Sequence, residues 1–362
     1  MEKKSKIYVA GHTGLVGSAL LGRLKAENYS NLILRSHDQM DLERQSAVES
    51  FFQAEKPEYV FLAAAKVGGI LANNTYPAEF IYNNLAIQTN VIHAAWKTGV
   101  RRLIFLGSSC IYPRESPQPI KEEYMLTGPL EKTNEPYALS KIAGIKMCQS
   151  YNRQYDTQFL AVMPTNLFGP NDNFDLENSH VLPAMIRKFH LAKLAAQGMW
   201  ESIQDNEKKY GPIPADLQAG LISIARHSGH QVSMPDNSSL PAPAVPLWGT
   251  GNPRREFLYV DDLVDACIFI INLDNDAFRS LLTESVFPLI NIGSGIDNTI
   301  KALSSQVKTI VGYKGEVTFD TSKPDGTPQK LLDIAIISEL GWKPRISLKQ
   351  GIQLTYQWFL EN

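Results

Sequence analysis

A hydroxyl at Ser108, a thiol at Cys110, a phenol at Tyr137 and an ammonium at Lys141 fall in one short stretch of this 362-residue chain. Hydride reduction of a sugar ketone can use the first, third and fourth. Tyr137 and Lys141 are four apart in an expected helix, so both project from one face. A phenol titrates near pH ~10 in water; a neighbouring ammonium, with the positive charge of an oxidised nicotinamide, favours its phenolate. Tyr137 can then pass a proton to a carbonyl oxygen as hydride arrives at carbon. Lys141 also reaches the nicotinamide ribose hydroxyls, and Ser108, at the end of an expected strand, can donate a second hydrogen bond to the ketone oxygen. A Tyr-x-x-x-Lys pair arises by chance about once in a chain of this composition. The strand-end serine upstream is what makes the set informative.

The thiol has no part in that step. Cys110 lies two residues beyond Ser108, so in an extended segment the two face the same way, and a second reactive group enters the ketone's pocket. Isolated cysteines are more often buried structural residues, and Cys148 and Cys267, in helix-like apolar surroundings, take that reading. For Cys110 a candidate partner is His180, in Asn178-Ser179-His180. A thiolate and an imidazolium form a base–acid pair usable near neutral pH. No other histidine has such company, and no His/Cys/Asp cluster has metal-ligand spacing, so no metal is expected.

A cofactor turn lies near the N-terminus. Gly11-His12-Thr13-Gly14-Leu15-Val16-Gly17 follows an expected strand and opens an expected helix. Glycines there permit a tight turn and close backbone approach to a pyrophosphate seated on the helix's positive end. An NAD site usually offers an acid near the end of the second strand. Here that position offers Arg35, with His37 close behind, and cations suit a ribose phosphate, which favours NADP(H).

The elements that must position these groups alternate. Lys6–Ala10, Asn31–Leu34, Tyr59–Leu62, Arg102–Leu106 and Phe159–Val162 read as continuous apolar strands. Between them Leu15–Ala26, Arg44–Ala54 and Pro77–Lys97 have helical spacing. That pattern predicts an α/β fold, a doubly wound parallel sheet covered on both faces. Residues 1–165 form the expected nucleotide-binding domain, with 257–275 returning to it, and 166–362 mainly a smaller substrate domain over the sheet's carboxyl edge. Phe257–Val260 and Pro288–Ile292 read as short strands of that second half. Between 198 and 244 the composition shifts to proline, glycine and polar residues around one helical patch, Leu217–Ala225, which reads as a surface insertion or mobile flap.

Composition is that of an ordinary globular chain, 44% hydrophobic and 20% charged with net charge −2. Without a basic block or a long apolar run, nucleic acid and membrane are not expected partners. Three dispersed cysteines and an N-terminus that runs straight into a strand fit a cytoplasmic setting.

The residues carry a resemblance. Ala63–Ile70 (AAAKVGGI), Ala72–Pro77 (ANNTYP), Gly107–Pro113 (GSSCIYP), Glu135–Ala138 (EPYA), Met163–Leu167 (MPTNL), Asn171–Phe174 (NDNF), Asn178–His180, Arg255–Leu258 (REFL) and Ser322–Pro328 (SKPDGTP) span nearly the whole chain outside 198–244. With them the chain resembles the extended short-chain dehydrogenases/reductases, and more narrowly the GDP-L-fucose synthase family of 3,5-epimerase/4-reductases. The resemblance implies GDP-4-keto-6-deoxy-D-mannose as substrate, NADPH as reductant and a homodimer through the long helices. It makes Cys110 the base and His180 the acid of epimerisation, with Ser108 and Tyr137 as an oxyanion hole. By matching motif, Leu106, Gly107, Pro164, Thr165, Asn166 and Leu167, with His180, would line the nicotinamide side. Lys188, Trp248, Arg255, Asp325 and Lys330 would hold the GDP-sugar. The chain departs from the family at Thr13 and His37, where members carry arginines near the ribose phosphate, and at Lys188, again an arginine. Related dehydratases place a threonine and an acid where this chain has Ser109 and Cys110. A non-catalytic NADP-binding module would lack the tyrosine, lysine or serine.

Overall fold

The computed structural model describes every residue except 233–239, 283–287 and 324. Its strands are β1 (Ile7–Ala10), β2 (Leu32–Ile33), β3 (Tyr59–Leu62), β4 (Arg102–Leu106), β5 (Phe159–Pro164), β6 (Asn166–Phe168), β7 (Ala244–Trp248), β8 (Arg254–Tyr259), β9 (Leu289–Ile292), β10 (Asp297–Thr299), β11 (Glu316–Asp320) and β12 (Gln329–Lys330). The helices that matter here are α1 (Leu15–Ala26), α2 (Gln45–Glu55), α3 (Ile70–Thr75), α4 (Pro77–Lys97), α5 (Glu135–Tyr155), α6 (Val181–Ala196), α7 (Trp200–Tyr210), α8 (Ala215–His227) and α9 (Val260–Ile271).

The main sheet is six parallel strands in the order β2-β1-β3-β4-β5-β9. Because side chains alternate along a strand, each apolar run serves both faces. Tyr8, Val60, Leu62, Leu103 and Phe105 enter one core, with Val48 and Phe52 of α2 and Val91 of α4. Ile7, Val9, Phe61, Ile104 and Leu106 enter the other, with Leu20 of α1 and Leu263 of α9. The fold is therefore doubly wound α/β, and the chain changes direction between β1 and β3, where such sheets bind nucleotides. The run assigned to the second half at Pro288–Ile292 is in fact β9, the sixth strand of this sheet, paired with β5. A fully buried parallel strand reads as a short apolar run, so its sequence alone does not say which sheet it joins.

A third core lies beyond the carboxyl edge. It gathers Phe168, Phe174 and the buried face of α6, together with β7, β8 and the C-terminal helix Leu348–Glu361. The expected flap is folded into it: α7 and α8 contribute Ile203, Leu217, Leu221 and Ile224, all buried. Pro212 and Pro214 lie between α7 and α8, Pro241 and Pro243 between α8 and β7, and the apolar spacing of two short helices outweighs a polar average. Residues 233–239 of that stretch lie outside the described residues. Among the described residues no helix is long and apolar enough to cross a membrane.

Candidate active site

β4 delivers Gly107 and Ser108 to the sheet's carboxyl edge, where Gly107 N donates to Val162 O at 2.9 Å. A Cβ at Gly107 would meet the end of the Met163 side chain, which packs close against this strand end. Ser108 remains extended, but Ser109–Ile111 is a 3₁₀ turn rather than the extended segment the spacing suggested. Ser108 Oγ caps that turn by accepting from Cys110 N at 3.3 Å. Serine and cysteine are thus neighbours through a turn, not through strand alternation.

Cys110 is buried, yet it belongs to none of the three apolar cores, whereas Cys148 sits in the first and Cys267 in the second. Burial pushes its thiol pKa up, and Lys330, the Ser108 hydroxyl and Lys141 pull it back. Tyr137 stands in the first turn of α5, edge-on to Phe80. Burial raises its phenol pKa, negative charge at Cys110 adds to this, and a hydrogen bond with Ser108 lowers it. One turn on, Lys141 Nζ donates to Leu106 O at 2.8 Å and lies 5.7 Å from the centre of the Tyr137 ring. Burial pulls this ammonium down to about 8, against the opposing charge of Cys110. Gln88 of α4 holds α5 in place by donating to Ser140 O at 2.5 Å.

His180 is the N-cap of α6 and is open to solvent. The protein around it and the nearby Lys330 hold its pKa below the ordinary value. With the thiol raised and the imidazole lowered, each group favours its neutral form. The thiolate–imidazolium form expected from sequence has the same proton count, with the proton moved from sulfur to nitrogen. Lys330, expected only on the GDP-sugar, is the cation facing both groups, because β12 pairs with β8 in the register Lys330↔Arg255.

At the cofactor turn, Gly11 has φ +81° and a Cβ there would lie 2.7 Å from Ala64 N, so only glycine lets β1 turn against β3. A Cβ at Gly17 would strike Gly11, while Gly14 is open on its outer side. The buried His12 Nδ1 has no partner. A tight glycine cradle, an open middle glycine and an orphaned polar nitrogen all fit a dinucleotide pyrophosphate on α1. Thr13 and His37 are exposed, so both are open to a ligand. Arg35 is already engaged: Nη2 pairs with Glu55 at 2.7 Å, and the guanidinium lies 5.3 Å from the Phe51 ring centre. It would have to share or exchange that partner to meet a ribose phosphate. Pro164 ends β5 and Thr165 follows it, and Thr165 Oγ1 and Asn166 Nδ2 donate to Glu256 O at 3.1 and 2.8 Å, which fixes the strand switch to Leu167.

The proposed GDP residues divide. Trp248 is 46% exposed at the end of β7, with Lys323 5.4 Å from its ring centre, so one indole face is available for stacking. Arg255 Nη2 reaches Asp325 O, and burial lowers its pKa against the opposing charges of Asp325 and Glu131. Asp325 spends both carboxylate oxygens on the amide and hydroxyl of Thr250, at 2.7 and 2.8 Å, and so shapes the loop after Trp248. Lys188 Nζ donates to Pro246 O at 3.0 Å, which ties α6 to β7 instead of leaving the ammonium free.

Three groups escaped sequence reasoning. Glu256 is fully buried, and its carboxylate accepts from Gly295 N at 2.7 Å and Leu332 N at 2.9 Å, anchoring the strand that carries Lys330. A charged residue in the middle of a strand was the available signal. Gly69 lies against the His180 loop: its N donates to Asn178 O at 2.9 Å, and a Cβ there would lie 2.7 Å from Ser179 O. Arg187, adjacent to Lys188, is completely buried. Among the described residues no group of three or more His, Cys, Asp or Glu could hold a metal.

The NAD dependent epimerase/dehydratase family matches residues 7–206 and 207–280. Putative GDP-L-fucose synthase 2 of Arabidopsis thaliana is 51% identical over all of this chain and 94% of its own. GDP-L-fucose synthase of Escherichia coli K12 is 46% identical over 99% of this chain and 98% of its own. Among solved structures, a GDP-D-glycero-L-gluco-heptose synthase from Campylobacter jejuni, crystallised in the presence of NADPH, superposes with TM-score 0.86. It is 40% identical and covers 99% of both chains.

Proposed function

The chain belongs to the NAD dependent epimerase/dehydratase family and groups there with the GDP-L-fucose synthases, and from that premise we propose that it converts GDP-4-keto-6-deoxy-D-mannose to GDP-L-fucose. The conversion inverts carbons 3 and 5 and reduces the ketone at carbon 4. The observation that carries the proposal is Cys110: a buried sulfur outside every apolar core, surrounded by Ser108, Lys141 and Lys330.

The cofactor is NADP(H), which supplies the hydride when bound on the Gly11–Gly17 turn. The remaining chemistry belongs to the side chains. The ketone acidifies the hydrogens on carbons 3 and 5. Cys110, once its proton has moved toward His180, removes one of them, and His180 returns a proton from the opposite face. Lys330 favours the thiolate and, although it opposes proton uptake at His180, makes the protonated imidazole a stronger acid for the return step. Ser108 and Tyr137 stabilise the enolate oxygen, where a positioned donor is worth about 3 kcal/mol. In the reduction Tyr137 gives its proton to the oxygen at carbon 4, with Lys141 as the adjacent cation. Arg255 meets the diphosphate and Trp248 the guanine face. Two copies of the chain pair through α4 and α5, whose surface carries the stacked Trp96 and Tyr155 rings, 4.3 Å apart; sedimentation velocity reads the mass.

The test is incubation with the 4-keto sugar and NADPH in deuterated water. GDP-fucose labelled at carbons 3 and 5 is expected, and Cys110→Ser should suppress the labelling while NADPH binding stays. Full labelling in Cys110→Ser refutes the base assignment. Turnover of GDP-4-keto-heptoses but not of the 6-deoxy sugar would instead match the heptose synthase.

A further inference from the structure

We propose that α7 and the turn after it, inside the segment whose sequence reads as an insertion, clamp the loop that presents His180, so that Arg187 and Gly211 are positioning residues for epimerisation. The inference rests on His180 acting as the acid.

The loop from Phe174 to His180 is held from two sides. On the sheet side, Gly69 N donates to Asn178 O. On the other, Asp175 Oδ1 accepts from Glu177 N at 3.1 Å, Asn178 N at 2.9 Å and Asn178 Nδ2 at 2.9 Å, so one carboxylate sets the turn that leads into His180. The root of this loop is joined to α7 by one guanidinium. Arg187 Nη1 donates to Phe174 O at 3.1 Å and to Tyr210 O at 2.9 Å, Nη2 to Gly211 O at 2.5 Å, and Nε to Asn206 Oδ1 at 2.9 Å. A planar fork with five donors can tie three backbone carbonyls and an amide at once, which a lysine cannot do. The rings of Phe174, Tyr210 and Phe359 close around the same point, with centroids 4.7 to 5.6 Å apart.

Gly211 makes the junction close. It has φ +92°, and a Cβ there would lie 2.5 Å from Asp175 Oδ2. The end of α7 therefore abuts the carboxylate that shapes the His180 turn. A methyl group at this position pushes on Asp175 and, through it, on Asn178 and His180. Ser108, Tyr137 and Lys141 hang from β4 and α5 and make no hydrogen bond to Arg187, Gly211 or Asp175, so the displacement falls first on the epimerisation acid.

Gly211→Ala and Arg187→Lys test this in the full-length protein. Misplacing a catalytic group by about 1 Å costs about a hundredfold, so incorporation of solvent deuterium at carbons 3 and 5 should fall by about that factor. NADPH binding should remain, and the fraction of sugar reduced without inversion should rise. A second readout needs no turnover. The His180 Cε1 resonance, assigned with His180→Gln, reports the imidazole's titration in wild type and in each variant. A displaced loop moves the His180 ring out of its enclosing protein surroundings and away from Lys330, and its pKa rises toward the ordinary value. An unchanged His180 titration in a folded variant overturns the clamp, as does an equal fall of labelling and reduction. If wild type itself incorporates no deuterium, the proposed function fails, while the titration still decides whether α7 positions His180.

Discussion

Lys141 should make the cofactor-free protein less stable than it need be. Its ammonium is buried, has one hydrogen bond to Leu106 O, and its pKa is pulled from an ordinary 10.5 to about 8. At ~1.4 kcal/mol for each tenfold change in proton affinity, keeping it charged at pH 7 costs about 3 kcal/mol. Lys141→Met removes that cost but leaves Leu106 O without a donor, worth ~1 kcal/mol, so a net gain of about 2 kcal/mol is expected. Across 362 residues, an unfolding entropy of ~2.1 cal/mol/K per residue converts this to about 3 °C in Tm. The sign with pH follows from proton counting. Below about 8 both folded and unfolded wild type hold the proton, and the cost is constant. Between about 8 and 10.5 only the unfolded chain holds it, so wild type gains stability as pH rises. The variant lacks that gain, and other titrating groups cancel in the difference. Paired thermal unfolding at pH 7 and pH 10 measures it: the variant should lead at pH 7 and lose its lead by pH 10. A variant that melts below wild type at pH 7, or by a constant offset at both pH values, refutes the reasoning.

Tyr137→Phe should lower NADPH oxidation by the 4-keto sugar by ~10²–10⁴-fold with little change in NADPH affinity; a loss of affinity matching the loss of rate would place the phenol in binding instead. Glu256→Gln sets an amide NH₂ against Gly295 N or Leu332 N, so it should cost about 1–3 kcal/mol, read as a lower urea midpoint. Arg35→Ala should raise the KM for NADPH by about tenfold, consistent with losing one charged contact worth ~1.5 kcal/mol, and leave that for NADH alone; equal effects on both would remove Arg35 from the ribose phosphate.

Most of the sheet could be read from the chain because buried parallel strands are continuous apolar runs, and Tyr59–Leu62 and Arg102–Leu106 are found as expected. The Tyr137/Lys141 pair was legible because helical spacing is local. What could not be read was set by distant partners. Arg35 looks free in sequence, and only the fold brings it to Glu55, twenty positions away. Lys188 and Asp325, expected on the GDP-sugar, also have partners within the chain that no spacing announces, Pro246 O and Thr250. The role of Lys330 beside Cys110 depends on a two-residue strand, too short to carry a pattern. The 198–244 stretch misled because its average polarity conceals Leu217, Leu221 and Ile224 on one face of α8.

The strand that ends in Lys330 also sets a time at which chemistry can begin. During synthesis at ~5–20 residues per second, the glycine turn, the serine, the thiol and the phenol all emerge well before that lysine. A nascent polypeptide could therefore grip its dinucleotide for many seconds while its sulfur still lacks the cation that would help ionise it. A chain ended between β9 and β12 would hold all six strands of the main sheet and the glycine turn but lack Lys330, one of the two cations that favour ionisation of Cys110.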